Sequence, residues 1–427
     1  MNSLKNSKKI AIFGLVGTSI KLLTGPITLL IIAATLTKEE LGFYYMFFSL
    51  IAMSQLLEVG VGSVLKSYYS YEVPVNRKYT IENKSNIFAL YMFARKWYLL
   101  LSLLFFIIGI ISGEATFQSY NDDILWKGPW YTLLFVACIN LLLLPIKSYI
   151  EGMQYQLKLN FINIKSQVAM AISLWVALYF NFGLYSVALS QASGVVIFFI
   201  CYYKDKDLKV EKTKTYDTFG TVFKKLLPLL KKTGIVWFLG YFYWNSFNFI
   251  TFNMLGAQTA GVIGLSIALA RAGMGVAGSI VISQLTVFSN LIANNKEKES
   301  FIIYKKYAFY SLLLLLFGYV IFIFGMLFKP DFYFFEKVLP IKQIMYLFTF
   351  FFIAHLVSLL DSYTRSYKVE LFVFVQLFNS IFTPLMFFCS IYFDIEYFIL
   401  PIVSAVLVLI FTYRKFNTLI HNKYDYR

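Results

Sequence analysis

The chain is short of the residues that do soluble chemistry. Charged side chains make up 14% of its 427 positions, against about 25% in an average soluble domain. It has two histidines and three cysteines. Cys138, Cys201 and Cys389 each sit in an apolar block without metal-ligand spacing or an obvious partner, and they read as small hydrophobes. There is no Walker motif, so uphill transport would draw on a gradient, the membrane potential or substrate supply. Long polar loops are scarce too. A membrane enzyme would want a large outer loop with catalytic carboxylates, and the loop 114–128 offers only the adjacent pair Asp122-Asp123, which reads as solvated.

Long hydrophobic runs are plentiful. Apolar residues form 59% of the sequence, in blocks of the roughly 20 residues that a bilayer crossing needs. The expected fold class is all-α, a polytopic membrane protein with about 12 transmembrane helices. They fall near 10–35, 41–57, 97–113, 130–146, 161–180, 184–202, 235–253, 259–288, 307–328, 343–360, 371–393 and 397–413. The basic N-terminus precedes a first block too long for a signal-peptide core, so that block is expected to stay as a span. Trp97, Trp126 and Trp130 lie at span ends, where indole rings favour the headgroup level.

The net charge of +16 has a direction. With both termini in the cytoplasm, inner segments hold 31 of the 38 Lys and Arg, counting Lys165 at the inner end of its span, and outer segments hold 5. That is the positive-inside pattern. It accounts for the basicity through topology and attraction to anionic membrane lipids, with no nucleic-acid partner required.

The longest internal polar segment, 204–232, divides the chain into a six-helix lobe at 1–203, a basic cytoplasmic linker, and a second six-helix lobe at 233–427. Within the linker, Phe219–Leu230 reads either as an amphipathic helix on the inner leaflet or as a solvated tether. The halves carry a weak repeat at an offset of 219 residues: Leu36 through Gly42 opens span two, and Leu255 through Gly261 opens span eight. Parallel repeats of this kind place transporter sites near the midplane.

Two cations fall inside spans, Lys21 in the first and Arg271 in the eighth, both near the midplane. Each costs at least about 2.5–3.5 kcal/mol there. No carboxylate lies at matching depth, so the reading is a water-filled cavity that receives an anion; snorkelling or pairing with carbonyls at the Gly25-Pro26 break is the plainer alternative. Tyr241, Tyr243, Trp244, Asn245 and Asn248 in span seven are candidate glycan contacts, although interhelical hydrogen bonding is the commoner role of such amides. Glu58 is a candidate inner-gate partner of Arg95 or Lys96, with an interfacial anchor as the rival reading. His355 and Asp361 are weaker candidates for a proton relay. The small residues of span eight, Gly261, Gly264, Gly273 and Gly278 among them, are expected to serve close helix packing.

The stretch Gly25 to Tyr45, its continuation Leu56 to Leu65, Ile150 to Tyr155 with Asn160, and Gly261 to Ala268 resemble bacterial polysaccharide flippases, the O-antigen and capsule repeat-unit translocases of the multidrug/oligosaccharidyl-lipid/polysaccharide exporter superfamily. The resemblance implies two lobes working by alternating access in the bacterial cytoplasmic (inner) membrane. It implies an undecaprenyl-diphosphate-linked oligosaccharide as substrate for surface polysaccharide such as lipopolysaccharide or capsule, a cationic cavity, and a polysaccharide polymerase and chain-length regulator as partners. It implies no cofactor and no enzymatic activity, and it leaves a proton or sodium ion open as coupling ion. The rival within the superfamily is a drug or cation exporter, which would want carboxylates in the cavity.

Overall fold

One helical stretch of 64 residues, Phe219–Ile282, sets the plan of the computed structural model. At 1.5 Å per residue it would run about 96 Å, some three times the ~30 Å hydrocarbon core. It is broken at Gly256, where φ is 82° and ψ 169°, a conformation open essentially to glycine alone. The two expected spans 235–253 and 259–288 are therefore two helices that meet at a glycine break. Before them, the helix carries the segment from Phe219 to Leu230.

The structure describes residues 24–74, 78–120, 124–214, 217–367, 369 and 371–424, and every regular element among them is helical. In order these are α1 (Thr24–Thr35), α2 (Lys38–Ile51), α3 (Ser54–Glu58), α4 (Val61–Tyr71), α5 (Ile81–Phe117), α6 (Lys127–Gly152), α7 (Gln156–Tyr179), α8 (Tyr185–Lys204), α9 (Phe219–Ile282), α10 (Leu285–Ala293), α11 (Glu297–Phe328), α12 (Ile341–Arg365), α13 (Val373–Tyr392) and α14 (Ile399–Tyr424). Ten stretches are long and apolar enough to cross a membrane, the one at Gly240–Ala293 including the fold at Gly256. Helix α1 is the described part of the expected first span; the remainder of 10–35 lies outside the described residues.

Several helices overshoot the apolar blocks. Helix α5 starts at Ile81 rather than near 97, because Thr80 caps it: its hydroxyl accepts from the Asn83 amide while the Asn83 side chain accepts from the Thr80 amide. Capping boxes of this sort start helices regardless of hydropathy. Thr37 and Glu40 make the same reciprocal pair ahead of α2, at 2.8 and 3.1 Å.

The described chain packs as two units, Met46–Tyr241 in one and Gly25–Tyr45 with Phe242–Arg427 in the other. In the first unit, Val222, Leu226 and Leu230 form an i, i+4, i+8 stripe that is buried in the core with Phe93 and Tyr98. Phe223 stacks on Trp97 at 5.8 Å. The linker's helical part is thus held by protein packing. The tryptophans at the span ends have protein neighbours. Trp126 and Trp130 are fully buried beside Phe117, and Trp130 donates to the Gly109 carbonyl at 3.0 Å. Trp97 lies half-buried between Phe93 and Phe223. Their rings found protein partners before they reached the membrane interface.

The core of the second unit is aromatic, with Tyr304 stacked on Tyr363 at 4.3 Å and Phe288 against both. Its outer end holds the sequence repeat in contact with itself. A Cβ added at Gly42 would meet the Ala257 carbonyl oxygen at 2.1 Å; one added at Gly261 would meet the Lys38 carbonyl oxygen at 2.0 Å. Lys38 and Ala257, like Gly42 and Gly261, are separated by the 219-residue offset, so the two helices cross about a local pseudo-twofold at backbone contact. Only glycine permits that approach. Gly261→Val should destabilise the second unit by about 1–3 kcal/mol, the usual cost of overpacking. Thermal unfolding of the purified protein in detergent checks this, and an unchanged midpoint would mean the contact carries no stability.

Candidate functional site

Arg271 lies 15 residues beyond the Gly256 fold, about 22 Å along the helix and near the middle of the span. Trp244 sits on the preceding arm at comparable depth, and the Arg271 guanidinium rests 4.3 Å from the centroid of its ring. Tyr243, on the same arm, is hydrogen-bonded by Asn379 of α13. Asn379 in turn lies 2.7 Å from Thr383, which contacts Ser404 of α14 at 2.9 Å. Three helices therefore brace one cation through aromatic and hydroxyl neighbours. Among the described residues no carboxylate forms an ion pair with Arg271, which keeps accessible surface although protein packs densely around its guanidinium. An unpaired guanidinium held over an aromatic ring keeps donors free for an anion.

Of the expected glycan contacts, Tyr243 and Trp244 join Arg271. Asn245 and Asn248 are half-buried on the same helix. Tyr241 packs in the other unit, where its hydroxyl donates to the Ser49 carbonyl at 3.2 Å. Lys21 and the pair Asp122-Asp123 lie outside the described residues.

Sequence reasoning missed a cavity in the first unit with a polar side. A space of about 280 Å³ has apolar walls, Phe48, Leu133 and Leu144 among them, and a polar side made by Ser54, Gln55 and Glu58 from α3, Asn140 and Lys147 from α6, and Gln191 from α8. The side chains of Gln55, Asn140 and Gln191 make no hydrogen bond to any described residue. Amides inside membrane spans normally pair across helices, so three open ones around one cavity are donors and acceptors left available. The Lys147 ammonium is half-buried and lies 5.0 Å from the Phe198 ring. It escaped attention because span four was ended at 146, whereas α6 runs through to Gly152. Isolated amides within apolar blocks were the signal available.

Glu58 closes this cavity without the gate partners expected of it. Its Oε1 accepts from the Tyr98 hydroxyl at 2.7 Å and from the Gly62 amide at 3.1 Å. Those bonds hold a sharp break between α3 and α4, where Val59 and Gly60 are both left-handed, at φ 53° and 73°. A β-branched residue in that region is strained by about 1–3 kcal/mol, and the carboxylate is the group that holds it. Arg95 and Lys96 do not bond Glu58; they line a different cleft. The structure likewise separates His355 from Asp361. His355 is buried with Nε2 2.8 Å from Ser311, while Asp361 pairs with Arg365 at 2.8 Å and lies 3.4 Å from Gln376.

No family model and no curated protein matches this chain. Solved structures do match. An inward-facing multidrug resistance MATE family transporter of the MOP superfamily aligns with a TM-score of 0.66 at 14% identity, over 96% of this chain and 99% of the other. An outward-facing MATE transporter aligns at 0.56 and 15% identity, over 98% and 96%. A MATE structure in a straight conformation aligns at 0.55 and 12%, over 97% and 96%. Coverage this complete shows that the chain has the two-lobed, all-helical MATE fold.

Because Glu58 accepts a charge-assisted bond from Tyr98, Tyr98→Phe should cost about 1.5–3 kcal/mol of stability. Denaturant or thermal unfolding reads the loss; a change within error would show that the Gly62 amide alone holds the break.

Proposed function

We propose that the protein is a flippase that moves an undecaprenyl-diphosphate-linked oligosaccharide across the cytoplasmic membrane by alternating access, for surface polysaccharide biosynthesis. The observation that carries the reading is Arg271, a mid-span cation with free donors and no carboxylate partner among the described residues. A diphosphate is the anion such a fork suits best, and Lys21 is the second cation proposed for it. Within the second unit Tyr243 and Trp244 offer ring faces beside the guanidinium; taken by itself, the first unit carries open amides at Gln55, Asn140 and Gln191 of the kind that pair with sugar hydroxyls. The fold supports transport, and the resemblance along the sequence supports the substrate class.

A drug or cation exporter is the second reading, favoured by the fold it shares with multidrug resistance transporters and by Glu58 in the first unit's cavity. Lys147 shares that cavity and offsets the carboxylate. Glu58 is also engaged with Tyr98 and Gly62, so the site is poorly disposed to a lone organic cation.

Proteoliposomes separate the two. A fluorescent undecaprenyl-diphosphate oligosaccharide is loaded in one leaflet and its exposure to an impermeant quencher followed. Wild type should flip it, and Arg271→Ala should slow flipping by at least about tenfold, the loss expected for hydrogen bonds to a charged group. Equal rates in both proteins remove Arg271 from the site. Efflux of a cationic dye without lipid flipping supports the exporter.

A further inference from the structure

The first unit has a second cleft, of about 430 Å³, between α5, α6 and α8. Its walls are Leu99, Leu142, Pro145, Ile146 and Phe199, and Arg95 and Lys96 stand at its rim. Both cations are exposed, and neither forms an ion pair among the described residues. On α6, Ala137, Asn140, Leu144 and Lys147 line the polar cavity, whereas Leu142, Pro145 and Ile146 line this cleft. At 100° per residue these two sets lie on opposite faces of the helix. The cleft therefore turns away from the amides, and its polar groups are the two cations and the Tyr91 hydroxyl. Its depth follows from α5. Arg95 and Lys96 close the basic segment 58–96 and precede the apolar run 97–113, which places them at the headgroup level of the positively charged face.

We propose that this cleft is a binding site for one anionic phospholipid of the inner leaflet. Arg95 and Lys96 take the phosphate, and an acyl chain lies along Leu99, Leu142 and Phe199. Charge complementarity selects the headgroup: two cations at the surface of an apolar cleft match a net anionic lipid, whereas the choline of a zwitterionic one offsets the phosphate they would hold. Leu142 and Leu99 are 39% and 52% exposed, so the chain is left in contact with bilayer lipid along one side. The site is distinct from the polar cavity and stands whether or not the flippase reading holds.

The test titrates delipidated full-length protein with phosphatidylglycerol and, separately, phosphatidylcholine, counting bound lipid by native mass spectrometry. Wild type should retain phosphatidylglycerol in preference. The double variant Arg95→Gln with Lys96→Gln should bind it about 30-fold more weakly, at the usual worth of two surface cations. Leu142→Trp, which narrows the cleft and leaves the charge alone, should weaken it as well. Binding of the two lipids alike overturns the proposal, as does an unchanged double variant. Displacement of phosphatidylglycerol by undecaprenyl diphosphate with loss at the same two residues would overturn it in favour of a substrate entry site.

Discussion

A cation inside a bilayer has to be answered by something. At the centre of a helix it costs at least about 2.5–3.5 kcal/mol, a large share of the 5–15 kcal/mol by which a protein is usually stable. Arg271 has no carboxylate within ion-pairing distance among the described residues, and the chain has built a support for it instead. Trp244 faces the guanidinium, and a hydroxyl and amide relay through Tyr243, Asn379, Thr383 and Ser404 fixes the surroundings. Those contacts orient the charge and leave it open. The fold at Gly256 is what brings Trp244 and Arg271 to one level, since both lie on the same helical stretch on either side of it.

The same economy explains the rest of the second unit. Where helices must approach closely, the chain uses glycine on carbonyl, at Gly42 over Ala257 and Gly261 over Lys38. Van der Waals contact replaces the hydrophobic drive that lipid does not supply between helices. In the first unit, polarity is divided between two faces of α6. One face meets the amides and Lys147, and the other meets an apolar cleft rimmed by Arg95 and Lys96.

Much of the architecture could be read from the residues, because bilayer thickness forces apolar blocks of a definite length and loop charge records orientation. Two spaced motifs, Leu36 to Gly42 and Leu255 to Gly261, marked positions that meet in space. What escaped has physical reasons. Hydropathy locates the hydrocarbon and not the helix, so α5 and α6 were cut short and Lys147 was assigned to solvent. An indole at a span end satisfies the headgroup pattern equally well when it is buried, and only packing showed that Trp126 and Trp130 are core residues. Glu58 looked like one half of an ion pair, whereas its partners are a phenol and a backbone amide, which no charge pattern reveals.

The central claim is that Arg271 faces water and an anion. With Cys138, Cys201 and Cys389 replaced by serine, Arg271→Cys can be treated with a membrane-impermeant thiol reagent in intact inside-out vesicles and after permeabilisation. The account predicts modification in at least one of these. A cysteine at 271 that stays unmodified under both conditions, while one at exposed Lys296 reacts fully, would mean that the position is sealed in the helix bundle and would contradict the account.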